Sequence, residues 1–386
     1  MTFIELTSAS GILASSCFIL LIIQLTYAFG VYYQLHRHFK KQKEKKQSED
    51  IPPLSVILVT KDASKALEEN LPLILEQDYP QFEVIVIHDK SAGEDENVLK
   101  LLGNKYHHLY YSFIPETARY VSRKKLGIAM GIKASRHEWI VVTEPQCKPV
   151  SNQWLKGMAS HFSPGTDIVL GYSNYMQKKE SFARRIRLDN MFQAMRYLGR
   201  AANGHPYMGI GRNLAYRKSL YLGHKGFASQ LNLQRGDDDL FINSIANPMN
   251  TKVALSPDSF IRLPVPSYKR VWFEDKVNAL VTGHFYQGHA RLFNSIETWT
   301  CALFHLLTFI GLTYCILEKA WIETGIIGVG WLIRFISFMA IMKQTSTDLQ
   351  ENFCCSLPLF DLIRPLYSLQ IKLQYWLRDK SDFLRK

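Results

Sequence analysis

Residues 52–61 read PPLSVILVTK, and residues 82–89 read FEVIVIHD. Each is a short run of aliphatic and β-branched side chains closed by polar ones, the composition of a strand buried on both faces of a parallel sheet. A helical stretch at 63–77 separates them, as a parallel crossover requires. The alternation continues with a helix near 94–102, a strand near 108–112, a helix around 123–135 and the strand in EWIVVTEP, residues 138–145. Strands alternating with helices predict an α/β fold with a mostly parallel central sheet. Such sheets bind ligands beyond the carboxyl ends of their strands, which here are Thr60–Lys61, His88–Asp89 and Thr143–Glu144.

Outside this core, apolar residues gather at the two ends of the chain. Residues 6–35 hold no charged side chain. At a rise of about 1.5 Å per residue, roughly 20 residues cross the hydrocarbon core of a bilayer. Arg37, Lys40, Lys41, Lys43, Lys45 and Lys46 follow the run, whereas a cleaved signal is shorter and preceded by its charges. A retained transmembrane anchor is therefore predicted, with the chain from Arg37 onward in the cytosol. Two more apolar runs, 300–317 and 324–342, are joined by EKAWIE at 318–323 and predict an antiparallel helical hairpin. Arg334 within the second run must pair inside the bundle or snorkel. Residues 358–377, interrupted by Asp361, Arg364 and Pro365, read as an interfacial amphipathic helix rather than a further span. The predicted organisation is an anchor at 1–35, a basic linker at 36–51, an α/β domain at 52–290, a transmembrane hairpin at 291–343 and a basic tail at 344–386.

The 386 residues carry a formal net charge of +12. Much of the excess lies in the linker and in the tail, at Arg364, Lys372, Arg378, Arg385 and Lys386, where it suits an anionic membrane surface. No nucleic-acid-binding module accompanies it, so a membrane is the expected partner and nucleic acid is not. Of the cysteines, Cys17, Cys301 and Cys315 fall in candidate membrane segments and Cys354–Cys355 are adjacent. None has CxxC spacing, which points to reduced, packed thiols.

Six segments, in order and spacing, resemble the family 2 glycosyltransferases, and in particular membrane-anchored forms from Bacteroidetes-type bacteria. They are LSVILVTKD (54–62), LEQDYPQFEVIVIHDKS (75–91), KKLGIAMGIKAS (124–135), EWIVVTEPQCKPVS (138–151), HPYMGIGRNLAYRKS (205–219) and GDDDLFIN (236–243). The resemblance covers residues 52–287 and implies a GT-A domain, the fold of nucleotide-diphospho-sugar transferases. It further implies inverting transfer of a sugar from a nucleotide-sugar donor to an acceptor hydroxyl. That chemistry must hold the nucleotide, neutralise the departing diphosphate and deprotonate the acceptor.

By the same resemblance, Thr60, Lys61 and Asp89 match positions that grip base and ribose; Asp89 would equally suit a turn or cap. Lys125 matches a lysine that meets a phosphate oxygen, although Arg123 and Lys124 beside it would also suit a solvated basic face. Among Asp237, Asp238 and Asp239, Asp238 matches the catalytic base with Asp237 its neighbour, while acidic residues favour a helix N-terminus without any chemistry. Arg212 and Asn213, in a glycine-rich stretch, could contact acceptor or phosphate, or form a structural turn.

Two departures from the family pattern stand out. The metal motif, of the form TDADCxP, is here Thr143-Glu144-Pro145-Gln146-Cys147-Lys148-Pro149. Glu144 keeps one carboxylate and Gln146 offers only an amide oxygen, so Mg²⁺ or Mn²⁺ is expected to bind weakly, with metal independence open. The QxxRW-like signature is absent: alignment on Thr282, Gly283 and Tyr286 puts Asp275, Lys276, Val277, Asn278 and Ala279 in its place, with Lys276, Arg270 or His284 as candidate substitute cations. The expectation is an inverting, non-processive glycosyltransferase at the cytosolic face of a bacterial inner membrane, with a lipid-linked or envelope saccharide acceptor. The alternative is a catalytically degenerate relative that binds nucleotide sugar or scaffolds a partner.

Overall fold

A computed structural model describes residues 8–43, 51–89, 93–115, 117, 122–231, 233–353 and 357–378. Lys45, Lys46, the turn after Asp89, Cys354, Cys355, Arg385 and Lys386 lie outside the described residues.

Among the described residues ten strands form: β1 (Leu54–Thr60), β2 (Phe82–Asp89), β3 (Leu109–Ile114), β4 (Trp139–Thr143), β5 (Lys148–Pro149), β6 (Ile168–Gly171), β7 (Ser173–Tyr175), β8 (Leu214–Arg217), β9 (Thr251–Ala254) and β10 (Ile261–Leu263). Seven of them make one sheet in the order β3-β2-β1-β4-β8-β6-β9. β3 through β4 are parallel, β8 runs antiparallel to β4 and to β6, and β9 is parallel to β6. β5, β10 and β7 form a small second sheet. Leu54 pairs with both Phe82 and Trp139, so the polar ends of β1, β2 and β4 come level at one edge. The chain enters that edge from opposite sides of β1, which makes it a topological switch point.

Helices α3 (Ser64–Leu75), α4 (Gly93–Lys105), α5 (Arg123–Ala134) and α6 (Trp154–Ala159) cover the parallel half. Side chains alternate across β1 as the period of two demands. Leu54, Val56 and Leu58 face α3 and α6, while Ile57 faces Ile128 and Ile132 of α5. α5 lies close because it carries glycines: a Cβ on Gly131 would stand 2.6 Å from Ile57 Cγ2. Overpacking of that kind costs about 1–3 kcal/mol, more than the roughly 1 kcal/mol of helix propensity that alanine would add. Gly131→Ala should therefore lower the melting temperature. Gly223→Ala, where a Cβ meets nothing within 4 Å, should not.

α7 (Ser181–Ala202), α8 (Lys218–Gly223), α9 (Asp239–Ile245) and α10 (Lys269–Gly283) complete the globular part. The N-terminal helix α1 (Ala9–Tyr27) passes through a π-helical turn, Ala28–Tyr32, into α2 (Tyr33–Lys43). Val31, Tyr32 and Leu35 from this stretch pack into the same core as α7. The N-terminal apolar helix is thus continuous with the domain that follows it.

α11 (Ala290–Leu317) and α12 (Trp321–Asp348) are a hairpin whose link is only residues 318–320, with Lys319 at φ 57° closing the turn. The helices extend past their apolar runs at the ends far from the turn, so the hairpin is longer than its hydropathy. Among the described residues three helices, 9–42, α11 and α12, are long and apolar enough to cross a membrane. α13 (Leu357–Trp376) is one helix despite Pro365. Its charged residues face inward: Asp361 bonds Arg334 of α12, and Arg364 donates to Glu297 of α11 at 2.6 Å. Leu359, Leu362, Leu366, Leu369 and Leu373 are turned outward. Just before α13, buried Glu351 accepts hydrogen bonds from Tyr172 at 2.9 Å, Asn174 at 2.8 Å and Arg187 at 2.5 Å, and also pairs with Arg262. One carboxylate thereby fastens the end of the hairpin to the small sheet and α7.

Candidate active site

At the switch-point edge, three chain segments converge: the loop after β4, the first turn of α5 and the start of α9. The three consecutive aspartates do not face one another, because each has a different partner. Asp237 lies 2.9 Å from the Lys124 ammonium. Asp238 caps α9, accepting from Asp239 N at 2.8 Å and from Gly211 N at 2.7 Å. Gly211 permits that approach, since a Cβ there would stand 3.3 Å from Asp238 Cβ. Asp239 is buried and accepts from Thr282 Oγ1 at 2.5 Å and Tyr286 Oη at 2.9 Å. Burial and then Asp238 push the Asp239 carboxyl up to about 7. Burial followed by Asp237 raises Asp238 above the ordinary carboxylate value.

Asp238 looks into a cavity of about 120 Å³ whose lining includes Arg212, Arg235, Trp272, Lys276 and Asp239. This cavity shares Gln193, Met208, Asp239, Lys276 and Ala279 with a second one of about 450 Å³. The larger cavity lies among α7, α10, α11 and α13. Its lining combines Arg196, Arg291 and Lys372 with Trp299, Tyr375 and Trp376.

The remaining expected residues divide sharply. Glu144 stands beside Asp237, joined through Lys124, whose ammonium donates to Glu144 Oε1 at 3.0 Å. Burial opposes both charges, yet Lys124 and Arg212 hold Glu144 down to about 2, and Asp237 and Glu144 keep Lys124 above the ordinary lysine value. Arg212 Nε is 3.7 Å from the other Glu144 oxygen, and its Nη1 is buried with no hydrogen-bond partner among the described residues. Lys276 lines both cavities and pairs with Asp189, and it donates to Gln193 at 2.9 Å. Asp89 forms a two-pronged pair with Arg123 at 2.5 and 2.6 Å. Thr60 donates to buried Asp95 at 2.7 Å, and Lys61 is exposed at the same strand end.

Two expected contacts are corrected. Lys125 does not reach the carboxylates: it is fully buried, and its ammonium donates to the carbonyls of Gln230 and Leu233, at 2.5 and 3.1 Å. It belongs to the inward stripe of α5 with Ile128 and Ile132, and that spacing is the signal by which Lys124 could have been chosen instead. Asn213 does not face either cavity. Its amide donates to the carbonyls of Tyr172 and Ser259, both at 2.8 Å, and accepts from Trp154 at 3.0 Å. Asp95 and Arg123, which hold Thr60 and Asp89, and Arg235, which lines the smaller cavity, were not singled out from the sequence.

The donor set does not fit a divalent cation. A hard dication needs about six oxygens with room between the carboxylates. Here an ammonium stands between Glu144 and Asp237, and Gln146 donates its amide N–H to Glu144 Oε2 at 2.8 Å. A second cluster, Cys301, His305 and Asp361, fits no better, because Arg334 and Arg364 already donate to it.

The model of glycosyl transferase family 21 matches residues 20–266, where the sequence resemblance pointed to family 2. Among solved structures, the mannosyltransferase PcManGT from Pyrobaculum calidifontis, in complex with GDP-Man and Mn²⁺, is similar with a TM-score of 0.54 and 15% identity. The likeness covers 88% of this chain and 99% of that one. TarS 1-349 of S. aureus is 15% identical over 77% of this chain and 90% of that one, with a TM-score of 0.40. By sequence, no curated protein is significantly similar.

Proposed function

From a chain that belongs to glycosyl transferase family 21, we propose inverting, non-processive transfer of a sugar from a nucleotide diphosphate donor to a lipid-linked acceptor. The acceptor hydroxyl oxygen forms the new bond to the anomeric carbon. The bond from that carbon to the diphosphate oxygen breaks, its electron pair leaves on the diphosphate, and the hydroxyl proton goes to Asp238. Arg212, with a buried N–H that has no partner among the described residues, faces the same cavity and suits the diphosphate charge. The GDP-Man bound to PcManGT supports a nucleotide-diphospho-sugar as donor.

The observation that carries the acceptor class is the wall the two cavities share, Gln193, Met208, Asp239, Lys276 and Ala279. The larger one leads from Asp239 to the helices that follow the globular part, and its lining mixes cations with aromatic side chains, as an amphiphile with a polar head requires. The site would then lie at the cytosolic face of a bacterial inner membrane, with the basic stretch after α1 on that side.

The test is turnover by the full-length protein in lipid nanodiscs, with a panel of nucleotide-diphospho-sugars and a lipid extract. Sugar incorporation into the lipid fraction is expected. Incorporation into water-soluble saccharide alone would replace the lipid acceptor with the saccharide one. Donor binding without any turnover would favour the non-catalytic alternative.

A further inference from the structure

We propose that the Lys124 ammonium stands in the place of a divalent cation, so that the nucleoside diphosphate is held without metal. The inference rests on the glycosyl-transfer reading and concerns its charge balance.

The end of β4 and the residue before the α9 cap bring Glu144 and Asp237 to opposite sides of one nitrogen, at 3.0 and 2.9 Å. A divalent ion binding these two side chains would need that position. Both Glu144 oxygens already have a donor: Oε1 accepts from Lys124, while Oε2 accepts from Gln146 and lies near Arg212. The amide at Gln146 is turned with its N–H₂ toward the carboxylate, since an amide oxygen would be repelled there.

Lys124 is nevertheless not used up by its two carboxylates. Its N–H toward Glu144 is aligned as a hydrogen bond, but Asp237 Oδ2 has no aligned hydrogen bond at all. The side chain is 33% exposed, which leaves a donor on the open side of the cluster. Arg212 flanks the other oxygen of Glu144 and lines the cavity with Asp238. Two cations thus bracket one carboxylate, and an arriving diphosphate can bridge them. Asp237 holds the Lys124 ammonium in place before the ligand arrives, which is the preorganisation that electrostatic stabilisation of a leaving group needs. The two carboxylate charges of Glu144 and Asp237 balance those of Lys124 and Arg212.

The experiment is calorimetric titration of the full-length protein in detergent with GDP, UDP, ADP and CDP, in excess EDTA and again with Mn²⁺. The expected result is binding of at least one nucleotide in EDTA, unchanged by Mn²⁺. Lys124→Met should weaken it about 10- to 100-fold under both conditions, the range of a lost charge-assisted hydrogen bond. Lys124→Arg should restore most of the loss. Glu144→Gln separates the two readings most clearly. A metal ligand would be lost and binding with it, whereas under the present inference the cations are freed and binding is retained or tightened. Thermal melts of each variant identify any that fail to fold, and for these Glu144→Gln remains the deciding variant. Binding that requires Mn²⁺, or that Glu144→Gln abolishes, overturns the inference and leaves glycosyl transfer standing. No binding of any nucleotide with or without Mn²⁺ overturns both.

Discussion

Replacing Asp238 by Asn should reduce kcat about 10²- to 10⁴-fold, the usual worth of a positioned general base. The carboxylate is placed for this role by the two N–H groups it accepts, from Asp239 and Gly211, and by the cavity it faces. An amide keeps the size but presents only one acceptor oxygen, so one of those N–H groups loses its partner at a cost of about 1–3 kcal/mol. A melt therefore has to accompany the rate measurement. The outcome that supports catalysis by Asp238 is a folded variant with donor binding intact and turnover lost. A turnover within a few-fold of wild type would remove Asp238 from the chemistry. The wild-type rate should rise with pH as Asp238 loses its proton, above the ordinary carboxylate range because burial and Asp237 resist its ionisation. Since Asp239 titrates beside it near 7, the acid limb reports the pair rather than one residue.

Glu351→Ala should be the most destabilising single change outside the site. Its side chain is wholly buried and accepts from Tyr172, Asn174 and Arg187, with Arg262 alongside. Removing the carboxylate leaves the Arg187 charge buried, with only 2% of the residue exposed. Breaking a buried pair in this way costs about 3–5 kcal/mol. Glu351→Gln, which retains one acceptor but no charge, should fall between alanine and wild type in a denaturant series. If alanine and wild type melt together, the cluster does not fasten the hairpin to the domain.

The fold was legible because its signal is local. Leu54–Thr60 and Phe82–Asp89 are buried on both faces and show it in composition, without knowledge of their neighbours. The GDDDLFIN run likewise announced its place, since acidic residues after a glycine suit a helix start. The sequence reading singled out Lys125, and the lysine that meets Glu144 and Asp237 is its neighbour Lys124. One residue on a helix is a turn of about 100°, enough to exchange the site for the core. Asn213 failed for another reason: a polar residue in a glycine-rich loop reads as a ligand contact, and its three fastening bonds run to Tyr172, Ser259 and Trp154, which only the fold brings near. α13 was read as interfacial from its charges. Those charges answer Arg334 and Glu297 on other helices, and the outward face is leucine.

The Arg334–Asp361 contact has a consequence for how the chain is made. Arg334 is translated 27 residues before its counter-ion. If α12 enters a membrane as it is made, its guanidinium has no carboxylate yet, and an arginine at mid-helix resists insertion by about 2.5–3.5 kcal/mol. Stable residence of that span therefore waits for the helix that follows it. A chain stopped at residue 353 should leave α12 accessible to a protease added from one side, and Arg334→Leu should restore its protection without α13. Insertion order, no less than packing, is written into the position of one aspartate.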